Sequence, residues 1–151
     1  MSNCYFAAYS VGVNRTEMAK RCPTAKLLGM SVLKNYQLLF RGSHAAALAN
    51  VEPMKGCSVP LLVWEITSAD EMALDRHEGF PYLYEKQSVR VRLDGKLISA
   101  MVYTMIGNRP LGKPSAFYYS ALLEGYKAAG FDVDILRTAV SESDAAIEQT
   151  T

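Results

Sequence analysis

Apolar and polar residues alternate in short runs along much of the chain, and this period of two predicts β-strands. Residues 4–10, CYFAAYS, combine aromatic and small apolar side chains and predict a short central strand. Residues 13–22 follow with the spacing of a helix, and Asn14 with Glu17 three positions later predicts its N-terminal cap. The turn SVGV at residues 10–13 therefore joins a strand end to a helix start.

The middle of the chain reads mainly as strands. The runs AKLLGMSVL, YQLLF, AAALANV and CSVPLLVWEI predict short strands, and Asp94-Gly95 between YEKQSVRVRL and KLISAMVYTM predicts a hairpin. A helix is expected between these two groups, where Thr67 or Ser68 can cap it and Gly79 can end it. Two further helices are predicted in FYYSALLEGYKAAGF and near DVDILRTAVSESDAA.

Many short strands with few helices favour an α+β fold, in which helices flank a barrel-like or strongly coiled sheet. The chain has 151 residues, enough to bury roughly two-thirds of the surface that it would expose when unfolded. No internal repeat or low-complexity linker interrupts the pattern. We therefore expect residues 1–151 to form a single domain.

Composition and charge narrow the classes of partner. Half of the residues are hydrophobic, 21% are charged and the net charge is +1, which favours small-molecule or protein partners over nucleic acid. No run approaches the roughly 18 apolar residues of a membrane span, and the N-terminus lacks the pattern of a signal peptide. The three cysteines form no CxxC pair, so we expect reduced, buried or half-buried thiols and a cytoplasmic protein.

The sequence argues against several kinds of catalytic site. The two histidines are far apart in sequence, no serine lies in a GxSxG motif, and neither a GxGxxG motif nor a Walker loop is present. The shortage of His and Cys clusters argues against a metal site. Any catalytic chemistry would then depend on a carboxylate, tyrosines and backbone amides. Amides at a strand-to-helix turn such as SVGV are suited to binding a carboxylate or phosphate group.

Glu78, in LDRHEGFPYLYEK, is the candidate carboxylate. The rings of Phe80, Tyr82 and Tyr84 follow it, and a glutamate against apolar rings would have a raised pKa and could both accept and donate a proton. The alternative is a solvated residue at a helix end, as most glutamates are exposed. Tyr118 presents a similar choice between a functional hydroxyl and an aromatic ring that packs a helix against the sheet.

Several segments, in their order and spacing, resemble the γ-glutamylcyclotransferase family, including its AIG2-like branch. They cover about residues 4–131 and read YFAAY, NRTEMAKRCP, LKNYQLLF, AALANVEPMKGCSVPLLVWEI, LDRHEGFPYLYEK and KPSAFYYSALLEGYKAAGF. LDxxEG with a following tyrosine, RCP after the first helix, and PSxxY before an LxxG helix are modest signals singly and a strong one together.

The resemblance implies a small mixed β-barrel with flanking helices and a reaction without a cofactor. In that reaction the α-amine of a γ-glutamyl compound attacks the γ-carbonyl of the same molecule, giving 5-oxoproline and a free amine or amino acid. The family's glutamate matches Glu78, which would take a proton from the α-ammonium and return it to the leaving nitrogen. The aromatic residue that matches Tyr84 lines the pocket, and the hydroxyl that matches Tyr118 contacts the substrate.

The first turn departs from the family pattern. Family members read YGSNL there, and their loop amides hold the glutamyl group, whereas this chain has Tyr9, Ser10, Val11, Gly12 and Val13. A serine in place of a glycine with positive φ would be strained, or else Gly12 would have to supply the permissive conformation. Two side-chain partners are lost, but backbone amides survive every substitution, so residues 9–13 remain the expected substrate-binding segment.

The leading hypothesis is a cyclotransferase-type lyase that acts on a γ-glutamyl amino acid or a γ-glutamyl-amine. One alternative is a non-catalytic protein that sequesters a different anionic metabolite in the same cavity, and another is a protein-interaction domain. We expect no nucleic acid or membrane partner, and the sequence leaves open whether the chain forms a homodimer.

Overall fold

The computed structural model describes residues 4–150, with side chains described for residues 4–146. A short 3-10 turn, Val11–Val13, links the first strand to the first helix. Within the described residues, no helix is both long enough and apolar enough to cross a membrane. In chain order the elements are β1 (Cys4–Ala8), α1 (Arg15–Arg21), β2 (Lys26–Arg41), β3 (Leu48–Ile66), α2 (Ser68–Glu78), β4 (Tyr84–Leu93), β5 (Lys96–Met105), α3 (Ala116–Ala129) and α4 (Asp134–Thr150).

The five strands form one mixed sheet in the order β2-β3-β1-β5-β4. The central strand β1 is antiparallel to β3 and parallel to β5, while β2 pairs with β3 and β4 with β5 in antiparallel ladders. Between residues 4 and 150 no backbone ladder joins β2 to β4, although the Ser31 hydroxyl donates to the Arg92 carbonyl across that gap. The α+β class with flanking helices is confirmed, and the expected barrel is an open sheet whose two edges approach each other.

Between residues 26 and 66 the sequence pattern predicts several short strands, whereas the structure has two long, bent strands, β2 and β3. The prediction of short strands was therefore wrong. Asn35 has a φ of 64°, and the ladder shifts there, because Lys34 pairs with Ser58 whereas Tyr36 pairs with Pro53. Residues 54–57 have no partner in the ladder and bulge outward. A bulge bends a strand without ending its pairing, and this is why the break in the pattern did not mark a strand end.

The three cysteines are free thiols in the structure. Cys22 is buried and Cys4 is half-buried, as expected. Cys57 is exposed, which corrects the expectation of buried thiols, because it lies in the bulge of β3.

The local signals for α2 are confirmed. Thr67 caps the helix, since its hydroxyl accepts from the Asp70 amide at 3.1 Å and the Asp70 carboxylate accepts from the Thr67 amide at 3.0 Å. Gly79 ends the helix in the left-handed region with a φ of 68°. Glu78 is therefore the last residue of a helix whose two ends are fixed by local hydrogen bonds.

Helix α3 packs directly against the backbone of the turn between β1 and α1. A Cβ added to Gly125 would lie 2.7 Å from the Val13 carbonyl oxygen and 2.8 Å from the Asn14 nitrogen. The Asn14 side chain accepts from the Glu17 amide at 3.1 Å, which confirms the predicted cap, and donates to the Ala121 carbonyl at 2.9 Å. One asparagine therefore starts α1 and ties the turn to α3.

Substitution Gly125→Ala tests this close approach. Alanine favours a helix interior by about 1 kcal/mol over glycine, but the added methyl would meet backbone atoms, and overpacking costs about 1–3 kcal/mol. We expect a net decrease in the free energy of unfolding, measured by urea denaturation. Ser120→Ala, at an exposed position of the same helix, is the control for helix propensity. A Gly125→Ala variant more stable than the wild type would contradict the packing described here.

Candidate active site

Residues 9–13 form a compact turn in which most groups are committed to the fold. The Val13 amide donates to the Ser10 carbonyl at 3.0 Å, and the Gly12 carbonyl accepts from the Trp64 indole at 2.9 Å. The side chains of Val11 and Val13 are buried in the core. These valines could therefore contact a ligand through their backbone groups and not through their side chains.

Some amides of this turn remain available. Those of Val11 and Gly12 donate to no other group among residues 4–150, as is usual for the first amides of a helical turn. They are among the atoms of the predicted substrate-binding segment that could bind an anion. The other expected donor, the Val13 amide, is already used within the turn.

The backbone of the turn differs from both expected solutions. Ser10 has a φ of −110°, so it is not in the left-handed region, and Gly12 does not have a positive φ either. Gly12 is instead required for close approach, because a Cβ there would lie 2.6 Å from the Ala8 Cβ and 3.2 Å from the Phe6 ring. The chain therefore accommodates Ser10 without left-handed strain and uses Gly12 to press the turn against β1.

Glu78 is largely withdrawn from solvent at the end of α2. Its side chain is 18% exposed, and its Oε1 lies 3.8 Å from a guanidinium nitrogen of Arg21. Burial raises the pKa of Glu78 to about 6, although the positive charge of Arg21 opposes the rise. The interpretation of Glu78 as a solvated helix-end residue was therefore wrong.

The aromatic residues after Glu78 do not act as one cluster. Tyr84 is buried, and its hydroxyl donates to the Ala49 carbonyl at 2.7 Å. Phe80 packs under the ammonium group of Lys86, with 4.3 Å between the nitrogen and the ring centroid, and Tyr82 is 86% exposed. Of the three rings, Tyr84 is the one that belongs to the buried surroundings of Glu78.

Tyr118 packs with its ring, as one of the two interpretations expected, and its hydroxyl bonds other groups of the protein. Its ring packs edge-on against Phe40, with 6.5 Å between the centroids. Its hydroxyl lies 2.7 Å from the Ser10 Oγ and accepts from the Ala49 amide at 3.0 Å. Burial raises the pKa of Tyr118 to about 12, while the hydrogen bonds with Ser10 and with the Ala49 amide oppose the rise.

These groups converge on one region. Burial raises the pKa of four tyrosines, and the negative charge of Glu78 raises each of these pKa values further. All four tyrosines therefore lie within electrostatic reach of Glu78. They are Tyr9, Tyr84, Tyr103 and Tyr118. The structure thus brings Glu78 together with Tyr9, Ser10, Tyr84 and Tyr118 of the predicted site.

Sequence reasoning missed two contributors to this region. Arg21 belongs to the RCP segment at the end of the first helix, where the sequence alone indicated no function for it. In the structure it is the cation that faces Glu78. Ala49 carries no functional side chain, yet its peptide groups bond Tyr84 and Tyr118. An arginine directly before a Cys-Pro helix end was a signal that could have been used, whereas nothing in the sequence marks Ala49.

Several surface cavities lie away from Glu78. One of about 550 Å³ opens between β2 and β4 and is lined in part by Lys34, Arg90 and Arg92. We place the candidate site at Glu78 because a carboxylate with a strongly raised pKa beside a cation is a better mark of chemistry than cavity volume. Among the residues that the structure describes, no three His, Cys, Asp or Glu side chains are grouped to hold a metal ion.

Comparison with known structures shows the fold. A gamma-glutamyl cyclotransferase has a TM-score of 0.80 and 22% identity, covering 91% of this chain and 86% of its own. An uncharacterized human protein has a TM-score of 0.81 and 22% identity, covering 92% and 87%. A yeast gamma-glutamyl cyclotransferase specific to glutathione has a TM-score of 0.63 and 11% identity, covering 95% and 96%. No curated protein matches the chain significantly by sequence.

A family assignment comes from the sequence itself. The model of the family described as gamma-glutamyl cyclotransferase, AIG2-like, matches residues 12–121. This span is well over half of the chain and includes Arg21, Glu78, Tyr84 and Tyr118. The chain therefore belongs to the AIG2-like gamma-glutamyl cyclotransferase family.

Proposed function

We propose that the protein is a γ-glutamylcyclotransferase-type lyase, which converts a γ-glutamyl amino acid or γ-glutamyl-amine to 5-oxoproline and the free amine. The observation that carries the proposal is Glu78, a half-buried carboxylate with a pKa of about 6 within the segment that the family model matches. A carboxyl group with this pKa is mostly ionised at neutral pH, yet it is a stronger base than an ordinary glutamate.

The proposed reaction needs one group that moves a proton in both directions. The Glu78 carboxylate accepts a proton from the α-ammonium of the substrate, and the neutral amine attacks the γ-carbonyl carbon. A carbon–nitrogen bond forms within the glutamyl group, Glu78 returns its proton to the leaving nitrogen, and the bond to that nitrogen breaks. The attacking nitrogen loses its second proton in the same step, and the released amine takes this proton up, so the products are the neutral lactam and an ammonium group. Because attack within one molecule gains greatly from proximity, neither a covalent nucleophile nor a cofactor is required by this scheme.

The turn and Tyr118 would hold the substrate. The Ala49 amide donates to the Tyr118 oxygen, so the Tyr118 proton is free to go to the Ser10 Oγ. Ser10 then has its own proton for an acceptor on the substrate, beside the available amides of Val11 and Gly12. Tyr84 would contribute its ring, since its hydroxyl already donates to the Ala49 carbonyl.

One observation favours a second function, a protein that sequesters a small anionic metabolite without turnover. In the family the hydroxyl that matches Tyr118 contacts substrate, whereas here its oxygen is bonded to Ser10 and to the Ala49 amide. This function predicts a thermal shift with a metabolite that is recovered unchanged. Recovery of 5-oxoproline from the same incubation would contradict it.

The first test is turnover. Incubation with γ-glutamyl dipeptides and γ-glutamyl-amines should yield 5-oxoproline, detected by mass spectrometry, and Glu78→Gln should lower kcat/KM by at least about 100-fold because it cannot accept the proton. For the wild type, kcat/KM should fall as pH decreases through about 6, where Glu78 becomes protonated. The exposed Glu85→Gln is the matched control. Absence of product from every compound in both classes would contradict the proposal.

The same residue should reduce stability at neutral pH. The pKa of Glu78 rises from 4.5 to about 6 on folding, so the folded state binds the proton more tightly and loses stability as pH rises through this interval. Glu78→Gln should therefore raise the free energy of unfolding by about 2 kcal/mol at pH 7.5 and by little at pH 4. Denaturant titrations at both pH values, with Glu85→Gln beside them, measure this. A Glu78→Gln variant less stable than the wild type at pH 7.5 would contradict burial of the charge.

Substitutions of Tyr118 and Ser10 should affect stability and substrate binding to different extents. Tyr118→Phe leaves the buried Ala49 amide without its acceptor and should lower the free energy of unfolding by about 1–3 kcal/mol. Ser10→Ala keeps that acceptor and should cost less than about 1 kcal/mol, while lowering kcat/KM about tenfold by removing a donor to the substrate. Thermal denaturation measures the stability of both variants. Equal losses in the two variants would contradict this arrangement of hydrogen bonds.

A further inference from the structure

Arg21 is a partly buried cation whose hydrogen-bonding capacity is unused. It is the last residue of α1, and its side chain is 22% exposed. The nearest acidic group is Glu78, at 3.8 Å, which is too long for a hydrogen bond. Among the side chains described for residues 4–146, the guanidinium of Arg21 donates to no acceptor, although it carries five N–H groups. A guanidinium withdrawn from water in this way is suited to a planar anion.

The position of Arg21 connects it to both halves of the proposed site. Its charge lowers the pKa of Glu78 on α2 and contributes to lowering that of Tyr118 on α3. Tyr118 in turn bonds Ser10 of the turn. An anion that reached Arg21 would therefore lie beside the Glu78 carboxylate and within electrostatic reach of Tyr118.

We propose that Arg21 binds the α-carboxylate of the γ-glutamyl substrate and, in doing so, gives up its long ion pair with Glu78. This inference depends on the proposed function for the identity of the ligand, while its geometric basis is the unused guanidinium beside Glu78. Arg21 takes no part in bond making or breaking, so it is a substrate-binding residue that also sets the state of the base.

Substrate binding would then strengthen the base. In the free protein the positive charge of Arg21 stabilises the ionised form of Glu78. A substrate carboxylate that pairs with Arg21 neutralises this positive charge, so Arg21 no longer favours the ionised form of Glu78 and the carboxylate holds a proton more tightly. The α-ammonium of the same substrate is the proton donor, so the base becomes stronger only when its proton donor is bound.

The inference defines a substrate class. Compounds with a free α-carboxylate on the glutamyl group should be preferred over those in which this group is a carboxamide. The carboxamide keeps the α-amine and the γ-carbonyl and can still cyclise, to 5-oxoprolinamide. The two compounds therefore differ in the group that Arg21 would recognise and share the groups that react.

The experiment compares this substrate pair in the wild type, Arg21→Gln and Arg21→Lys. We expect Arg21→Gln to lower kcat/KM roughly 10- to 100-fold for γ-glutamyl-alanine and by less than about threefold for its α-carboxamide, from the strength of hydrogen bonds to charged groups. Arg21→Lys should recover part of the loss, because it restores the charge without the bidentate geometry. Arg15→Gln, at an exposed position of the same helix, is the matched control. Equal losses on both substrates would overturn the inference.

A pH profile tests the electrostatic relation between Arg21 and Glu78 on which the inference depends. The charged and titratable groups in electrostatic contact with Glu78 are Arg21 from α1, Tyr9 from the turn, Tyr84 from β4, Tyr103 from β5 and Tyr118 from α3. Arg21→Gln removes the cation that lowers the pKa of Glu78, so the acidic limb of kcat/KM with the α-carboxamide should move above pH 6. An unmoved limb would overturn the inference.

Binding measurements test Arg21 without turnover. By calorimetry, the wild type should bind 5-oxoproline more tightly than 5-oxoprolinamide, and Arg21→Gln should abolish this preference. If no γ-glutamyl compound is converted, the proposed lyase function fails while this ligand pair still decides the role of Arg21. A wild type without a preference for the acid would overturn the inference, whatever the result of the turnover assay.

Discussion

Close approach of the turn between β1 and α1 to β1 on one side and to the backbone of α3 on the other holds this turn, and the candidate site depends on it. Gly12 leaves no room for a Cβ beside Ala8, and Gly125 leaves none beside Val13. The turn is therefore enclosed between the side chains of Phe6 and Ala8 on the central strand and the backbone of α3. This enclosure places Ser10 within hydrogen-bond distance of Tyr118 and leaves the amides of Val11 and Gly12 among the available donors.

The Ala49 peptide groups provide a second fixed point. The amide of Ala49 donates to Tyr118 and its carbonyl accepts from Tyr84, so one position on β3 orients side chains from α3 and β4. Because both bonds use backbone atoms of a strand, their geometry is set by the sheet. The site is thus supported by the scaffold at a residue whose side chain packs in the core and whose peptide groups orient the two tyrosines.

Placement of Glu78 illustrates how a site can oppose stability. Withdrawal from solvent raises the pKa of this carboxyl and disfavours its charged form, while Arg21 at 3.8 Å compensates in part. A closer, hydrogen-bonded pair would stabilise the fold further but would weaken Glu78 as a base. With the ion pair at this longer distance, the pKa of Glu78 stays near 6. A carboxyl group with this pKa can both take up and release a proton at neutral pH.

Local chemistry by itself determined several elements. Asn14 with Glu17, Thr67 with Asp70, and the glycine at 79 each act over three or four residues, so their helix ends could be placed from the sequence. The Asp94-Gly95 hairpin has the same local origin. By contrast, the bulge at Asn35 interrupts the alternating pattern while pairing continues, and a strand end and a bulge look alike in sequence.

The sequence by itself determined the class of fold, the family resemblance and the choice of Glu78, because each depends on residue types in order along the chain. Only the tertiary structure decided that Glu78 is buried, that Ser10 bonds Tyr118, and that Arg21 faces the carboxylate. Ser10 and Tyr118 are 108 residues apart, and Arg21 and Glu78 come from different helices. Burial and electrostatic partners are properties of contacts between distant segments, and no local pattern encodes them.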